Sequence, residues 1–240
     1  MQPDHQTKEQ FVHHVFSAIA HRYDLLNSLL SFNQDKYWRR KAVEQTGINC
    51  GGSALDVCCG TGMLTIALAK TTGESGKVVG LDFCEKMLDQ AASNIKNAKN
   101  NKAIRIIQGN AMALPFDDNT FDCATIAFAL RNVPDIQQVI TEMQRVVKPG
   151  GKVVSLELAK PSFPVFKQIY YLYFEQFLPL LGRIGVGIDG PYQWLPESLK
   201  NYPHQSKVCE IFKATGLTDC GYTELTGGIV AIHYGIKPKA

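Results

Sequence analysis

A doubly wound α/β sheet is the fold class the sequence predicts, and three observations predict it. Between residues 53 and 158, short Val/Ile/Leu-rich runs alternate with segments of helical period. Such alternation implies parallel strands joined by right-handed helical crossovers. The first run ends in a glycine turn, "LDVCCGTG" (residues 55–62), and the second ends in Asp82, 20 residues beyond Gly62. The chain has 240 residues, 45% hydrophobic and 20% charged, enough for one sizeable core.

The elements follow in order. Residues 8–46 read as a helical cap, with Phe11, Val15, Phe16, Ile19 and Ala20 at three- and four-residue spacing on one face. "SALDVC" is a strand and "MLTIALAK" the helix after it. "KVVGLDF" is a strand, followed by a helix from Glu85 to about Lys99. "AIRIIQG" and "FDCATIAFAL" are the third and fourth strands. In "DIQQVITEMQRVV" the apolar residues Ile136, Val139, Ile140, Met143 and Val147 keep the helical period, and "KPGG" ends that helix before the strand "KVVSLEL". An aromatic-rich insertion spans 161–204, and "SKVCEIFKATG" is a helix. Two late strands, residues 217–225 and 228–235, read as a hairpin-like pair added at the sheet edge. This makes a single domain: cap 8–46, core 53–160, insertion 161–204, final helix and strands 205–236.

Charge and cysteine usage exclude several classes. Net charge is +3 without a Lys/Arg run, so no nucleic-acid stripe is expected. Neither a secretory signal nor a stretch of ~18 apolar residues is present; residues 163–181 are interrupted by Lys167, Gln168, Glu175 and Gln176. A cytoplasmic chain is expected. The seven cysteines are scattered without a C-x-x-C, which predicts free thiols and no metal. Cys58 and Cys59 read as compact groups packed at a strand end.

Gly60 and Gly62 allow a sharp turn and close ligand approach. Residue 65 is Thr, so the dinucleotide pattern G-x-G-x-x-G fails, which argues against a nicotinamide-linked oxidoreductase. Asp82 at its strand end suits the two hydroxyls of a ribose; the plainer alternative is that it caps the next helix. Asn110 and Ala111 after the third strand suit the edge of an adenine ring, or form an ordinary loop.

With these residues in place, "LDVCCGTG", "GLDFCEKML", "GNAMALPFDDNTFD" and "EMQRVVKPGG" resemble the ordered motifs of class I S-adenosylmethionine-dependent methyltransferases. "FSAIAHRYDLLNSLLSFNQDKYWR", "LRNVPD", "ESLKNYP" and "LTGGIVAIHYGIKP" are similar to the menaquinone/ubiquinone biosynthesis C-methyltransferase family, over about residues 11–238. The resemblance implies a Rossmann-like, seven-stranded, mostly parallel sheet. It implies S-adenosyl-L-methionine as cofactor, held by Asp56, Gly60, Thr61, Gly62, Asp82, Asn110 and Ala111, with Tyr23 and Asp24 in an N-terminal lid. A lipid quinol is the implied substrate, with peripheral membrane contact at the inner face; a homodimer is left open. "AFALRN" departs from the "SFGLRN" of ubiquinone-type members at Ala127, which tilts against a benzoquinol acceptor. "KYW" (36–38) departs from His-x-x-Trp.

Methylating a quinol ring carbon needs a base, or a cation that favours the phenolate. Arg131 and Asn132, just past the fourth strand, are the candidates: Arg131 to stabilise the phenolate and Asn132 to orient it. The plainer reading pairs Arg131 with Asp135 or with nearby carbonyls. His233 reads as a packed strand histidine rather than a base. Phe163, Phe166, Tyr170, Tyr171, Tyr173, Phe174, Phe177, Tyr192 and Trp194 read as a wall for a polyprenyl tail, as a membrane-facing patch, or as packing. The remaining alternatives are another small-molecule methyltransferase acting on an acid or amine, and a non-catalytic adenosine-binding protein.

Overall fold

The structure, a computed structural model, describes residues 8–161 and 191–239. The cap is α1 (Lys8–Ile19), a short 3-10 turn (Ala20–Arg22), α2 (Tyr23–Leu30) and α3 (Gln34–Thr46). The alternating region is β1 (Ser53–Val57), α4 (Met63–Thr72), β2 (Lys77–Asp82), α5 (Glu85–Lys96), β3 (Ile104–Gln108), β4 (Phe121–Ala127), α6 (Ile136–Val146) and β5 (Val147–Leu158). The chain closes with α7 (Pro191–Asn201), α8 (Gln205–Ala214), β6 (Thr218–Leu225) and β7 (Val230–Ile236).

Seven strands form one sheet in the order β3-β2-β1-β4-β5-β7-β6. The first five pair in parallel, and β7 runs antiparallel between β5 and β6. The order reverses between β1 and β4, so the crevice at their carboxyl ends is where such a sheet binds ligands. Leu55, Val57, Ala124 and Ile126 meet Val139, Ile140 and Met143 of α6 and Phe212 of α8 in one core cluster. Ala54, Val78 and Cys123 pack with Leu64 and Leu68 of α4 and with Val43 of α3 in another. Each such fully buried aliphatic contributes about 1.5–3 kcal/mol.

Three boundaries differ from the sequence reading. "KPGG" does not separate α6 from the next strand; it is the first part of β5. Phe121 faces Val147 and Cys123 faces Lys152, so β5 advances five residues while β4 advances two. The glycines permit this: Gly150 has φ +82°, and a Cβ on Gly151 would lie 2.5 Å from the Asp122 carbonyl oxygen. Strand β4 stops at Ala127 rather than running to Leu130, because Phe128 turns into the left-handed region at φ 56°. Helix α5 ends at Lys96, short of Lys99. Of the proposed tail wall, Phe163 to Phe177 lie outside the described residues, as does the side chain of Tyr192; Trp194 is described.

Candidate functional site

The glycine turn leaves β1 through three left-handed residues, Cys58 (φ 54°), Gly60 (φ 55°) and Gly62 (φ 78°). Gly62 is the N-cap of α4 and supplies no capping side chain. The first N–H groups of α4 are thereby left for a negatively charged ligand group. Asp82 closes the turn from the neighbouring strand. Its Oδ2 accepts from Gly60 N (2.8 Å) and its Oδ1 from Cys84 N (2.9 Å). The N-cap of α5 is Cys84, so Asp82 is not the helix cap. Burial pushes the Asp82 carboxyl above the ordinary range, while the backbone donors oppose that. Each carboxylate oxygen can accept a second hydrogen bond, so the geometry leaves capacity for a diol.

Asp56 is buried beneath the turn. It accepts from Thr65 Oγ1 (2.7 Å) and Thr125 Oγ1 (2.9 Å), and burial raises its pKa to about 6. Gly80 of β2 makes the space: a Cβ there would come within 3.0 Å of Cys59 Sγ and 3.1 Å of Thr65 Oγ1. Burial pushes both the Cys58 and Cys59 thiols well up, the neutral and unreactive state. All seven cysteines are free.

The cap is bolted onto the turn. Thr61 Oγ1 donates to Asp24 Oδ1 (2.6 Å), and Asn94 Nδ2 of α5 donates to Asp24 Oδ2 and to the Thr61 carbonyl, both at 3.0 Å. Sequence reading missed Asn94; a polar residue on the inner side of an amphipathic helix was the available signal. Lys8 Nζ donates to the carbonyl of Val133 (2.7 Å), holding α1 against the segment after β4.

Between cap and sheet lies a cleft of about 1020 Å³, open solvent at its mouth included. Asp56, Gly60, Thr61, Asp82, Asn110, Ala111, Tyr23 and Asn132 all line it; Gly62 supports the turn from behind, its Cβ position packed on Ala91. Asn110 Oδ1 accepts from Met112 N (2.9 Å), which leaves its NH₂ group available.

Arg131 stands behind this wall. Its Nη1 donates to Glu157 Oε1 (2.6 Å) and to the Phe128 carbonyl (2.7 Å). Asp135, the partner suggested by proximity in sequence, instead caps α6 by accepting from Gln138 N (3.0 Å). Glu157 also accepts from the backbone N–H of Leu158 (2.8 Å). The signal for Glu157 was a carboxylate inside the apolar run "KVVSLEL", since a buried charge needs a partner. Asn132 Oδ1 accepts from Trp194 Nε1 (2.9 Å), and the Trp194 ring meets Phe11 at 5.0 Å, joining α7 to α1 over the cleft. Arg131 Nε, Asn132 Nδ2 and Tyr202 Oη are buried without partners among the described residues. Burial and the Glu157 charge raise the Tyr202 pKa. His233 lies in the core, its Nε2 against the Gln205 carbonyl (2.9 Å), and burial lowers its pKa to about 4.

The model of the ubiE/COQ5 methyltransferase family matches residues 4–237. A demethylmenaquinone methyltransferase of Shouchella clausii is 49% identical over 233 residues, 97% of this chain and 99% of that one. Another from Desulfitobacterium hafniense is 47% identical over 232 residues, 97% of this chain and 92% of that one. Among solved structures, a SAM-dependent methyltransferase from Aquifex aeolicus aligns with a TM-score of 0.60 at 22% identity, covering 83% of this chain and 89% of that one. That likeness is one of fold.

Proposed function

The chain belongs to the ubiE/COQ5 methyltransferase family, and from that premise we propose that it methylates a ring carbon of a polyprenylated demethylmenaquinol with S-adenosylmethionine as donor. The observation that carries the reading is one cleft with two contrasting walls. On one side Asp82 closes a glycine turn and keeps acceptor capacity for a ribose. On the other, Asn132 holds a buried amide N–H₂ that no group among the described residues takes. The relatives' printed names supply the acceptor class.

The donor supplies an electrophilic methyl on a sulfonium. The chain's residues have to bind, align and dehydrate. Asp82 and the NH₂ of Asn110 would hold the nucleoside end, and the α4 N-terminus would hold the carboxylate of the amino-acid end. Asn132 Nδ2 would donate to the quinol oxygen next to the reacting carbon. Arg131 is a positioning residue: its charge, one layer behind, lowers the cost of the phenolate. Methylation would join the ring carbon to the methyl, leave the S–C electron pair on sulfur and release the ring proton to water.

The test is transfer of labelled methyl to reduced demethylnaphthoquinols and benzoquinols, with and without tails. Labelled naphthoquinol is the expected product, and no transfer to any quinol overturns the reading. Asp82→Ala should weaken donor binding about 100-fold, the worth of two charge-assisted hydrogen bonds, in calorimetric titration.

A further inference from the structure

Helix α2 has two working faces. Tyr23 and Asp24 belong to the cleft and to the bolt on Thr61. Leu25 and Leu29, four residues apart on the same helix, are 72% and 58% exposed, and Phe32 in the following turn is 78% exposed. Together with Tyr37 at 37%, these are four of the five large apolar side chains in the described residues that stand this open. Large exposed apolar groups clustered on one element mark an interaction surface.

Charge around the cluster has one dominant sign. His21, Arg22, Lys36 and Arg40 are exposed in the same stretch. Arg40 and Lys41 flank the Tyr37 ring at 5.5 and 6.0 Å. Of the acids, Asp24 is turned to Thr61 and Asn94, and Asp35 is buried against Arg39. Only Glu44, at the far end of α3, faces outward, shared between Arg40 and Lys41. Exposed leucines and phenylalanine ringed by lysine and arginine fit an anionic lipid surface: the apolar groups enter the acyl boundary and the cations meet the headgroups.

We propose that α2, the turn at Phe32 and the start of α3 form the surface on which this protein docks to anionic membrane. This rests on the lipid-quinol reading above and deepens it. The helix that would touch the bilayer is the helix whose next residues line the reaction cleft, so a lipid substrate is taken up beside its own membrane.

The experiment uses the full chain and vesicles of phosphatidylcholine with or without phosphatidylglycerol, followed by co-sedimentation, together with methyl transfer to a tailless quinol in solution and a tailed quinol in vesicles. Leu25→Ser/Leu29→Ser/Phe32→Ser should weaken binding to anionic vesicles about tenfold or more. It should reduce transfer to the tailed quinol similarly and leave kcat/KM for the tailless quinol within about twofold, as those side chains are outside the cleft. If the triple variant misfolds by circular dichroism, Lys36→Glu/Arg40→Glu makes the same test, with a loss of vesicle binding that raised salt reproduces in the wild type. Vesicle binding unchanged in the variants, or absent in the wild type, overturns the proposal. So does a variant that turns a dimer into a monomer while keeping its vesicle binding, since the surface then serves a second copy. A wild type that binds vesicles through this surface yet methylates no quinol upholds the docking surface and removes the function reading.

Discussion

The two sides of the cleft are built on opposite principles. At the glycine turn, around the carboxyl ends of β1 and β2, the polar side chains satisfy one another, while Thr72 Oγ1 at the far end of α4 is buried without a partner among the described residues. Asp56 takes two threonine hydroxyls, Asp82 two backbone N–H groups, and Asp24 binds Thr61 and Asn94. Around β4, β5 and β7, buried Arg131 Nε, Asn132 Nδ2, Tyr202 Oη, Ser155 Oγ and His233 Nδ1 have no partner among the described residues, and of these five only Asn132 lines the cleft. An unmade buried hydrogen bond costs about 1–3 kcal/mol. The difference teaches that the polar groups of the turn are finished by folding, whereas Asn132 keeps polar capacity in the cleft that a ligand can meet.

The largest break comes from separating Arg131 and Glu157. Removing one partner leaves the other charge buried, at a cost of about 3–5 kcal/mol. Glu157→Ala should lower the urea midpoint accordingly. Arg131→Met/Glu157→Leu, which removes both charges and keeps volume, should recover most of that stability. Turnover should stay about 100-fold down in the double variant, because the positive charge one layer behind the cleft is gone. A double variant with wild-type turnover would show that the pair serves only the fold.

Acid sharpens the contrast, because one group on each side titrates with opposite sign. Burial raises Asp56 to about 6 from 3.8. Between those values the folded state binds more protons than the unfolded, so this contribution is present at low pH and is lost as pH rises through the window. Burial lowers His233 to about 4 from 6.5. There the unfolded state binds more protons, so stability is present above 6.5 and is lost as pH falls toward 4. Each is worth about 3 kcal/mol at full shift, and over pH 4–6 they oppose. Asp56→Asn should therefore make the protein more acid-sensitive in that window, and His233→Gln should make it less so. Parallel slopes for wild type and both variants, in denaturant melts at half-unit steps, would sink the assignment.

Sequence carried the donor side further than the acceptor side for a physical reason. Gly60, Gly62 and Asp82 lie at fixed spacing within one strand–helix–strand unit, where local geometry decides which residues meet. The bolt of Asp24 to Thr61 spans 37 residues and that of Asn94 to Asp24 spans 70, so only tertiary packing brings them together. Arg131 finds Glu157 across 26 residues because β4 and β5 are neighbours, while the nearer Asp135 is taken up capping α6. "KPGG" carried the signal of a helix stop, yet its glycines also serve an irregular strand pairing, which local composition cannot distinguish.

The smallest expected effect lies at Cys58, where the donor side carries its strain in the backbone rather than in unpaired side chains. A residue with a Cβ in the left-handed region costs about 1–2 kcal/mol. Cys58 sits there at φ 54°, half-buried against the core cluster of Leu55 and Leu81. Cys58→Gly removes that cost but adds about 0.5–1 kcal/mol of unfolded-state entropy and loses the thiol's contacts. The net change should stay within about 1 kcal/mol. Cys58→Ala keeps the strain and loses the contacts, so it should fall below the glycine variant. Cys58→Val adds β-branching at positive φ and should fall lowest. Methyl transfer should survive in the first two, because neither thiol carries chemistry. Thermal melts ranking valine above glycine would mean that packing, not backbone geometry, sets the residue at this turn.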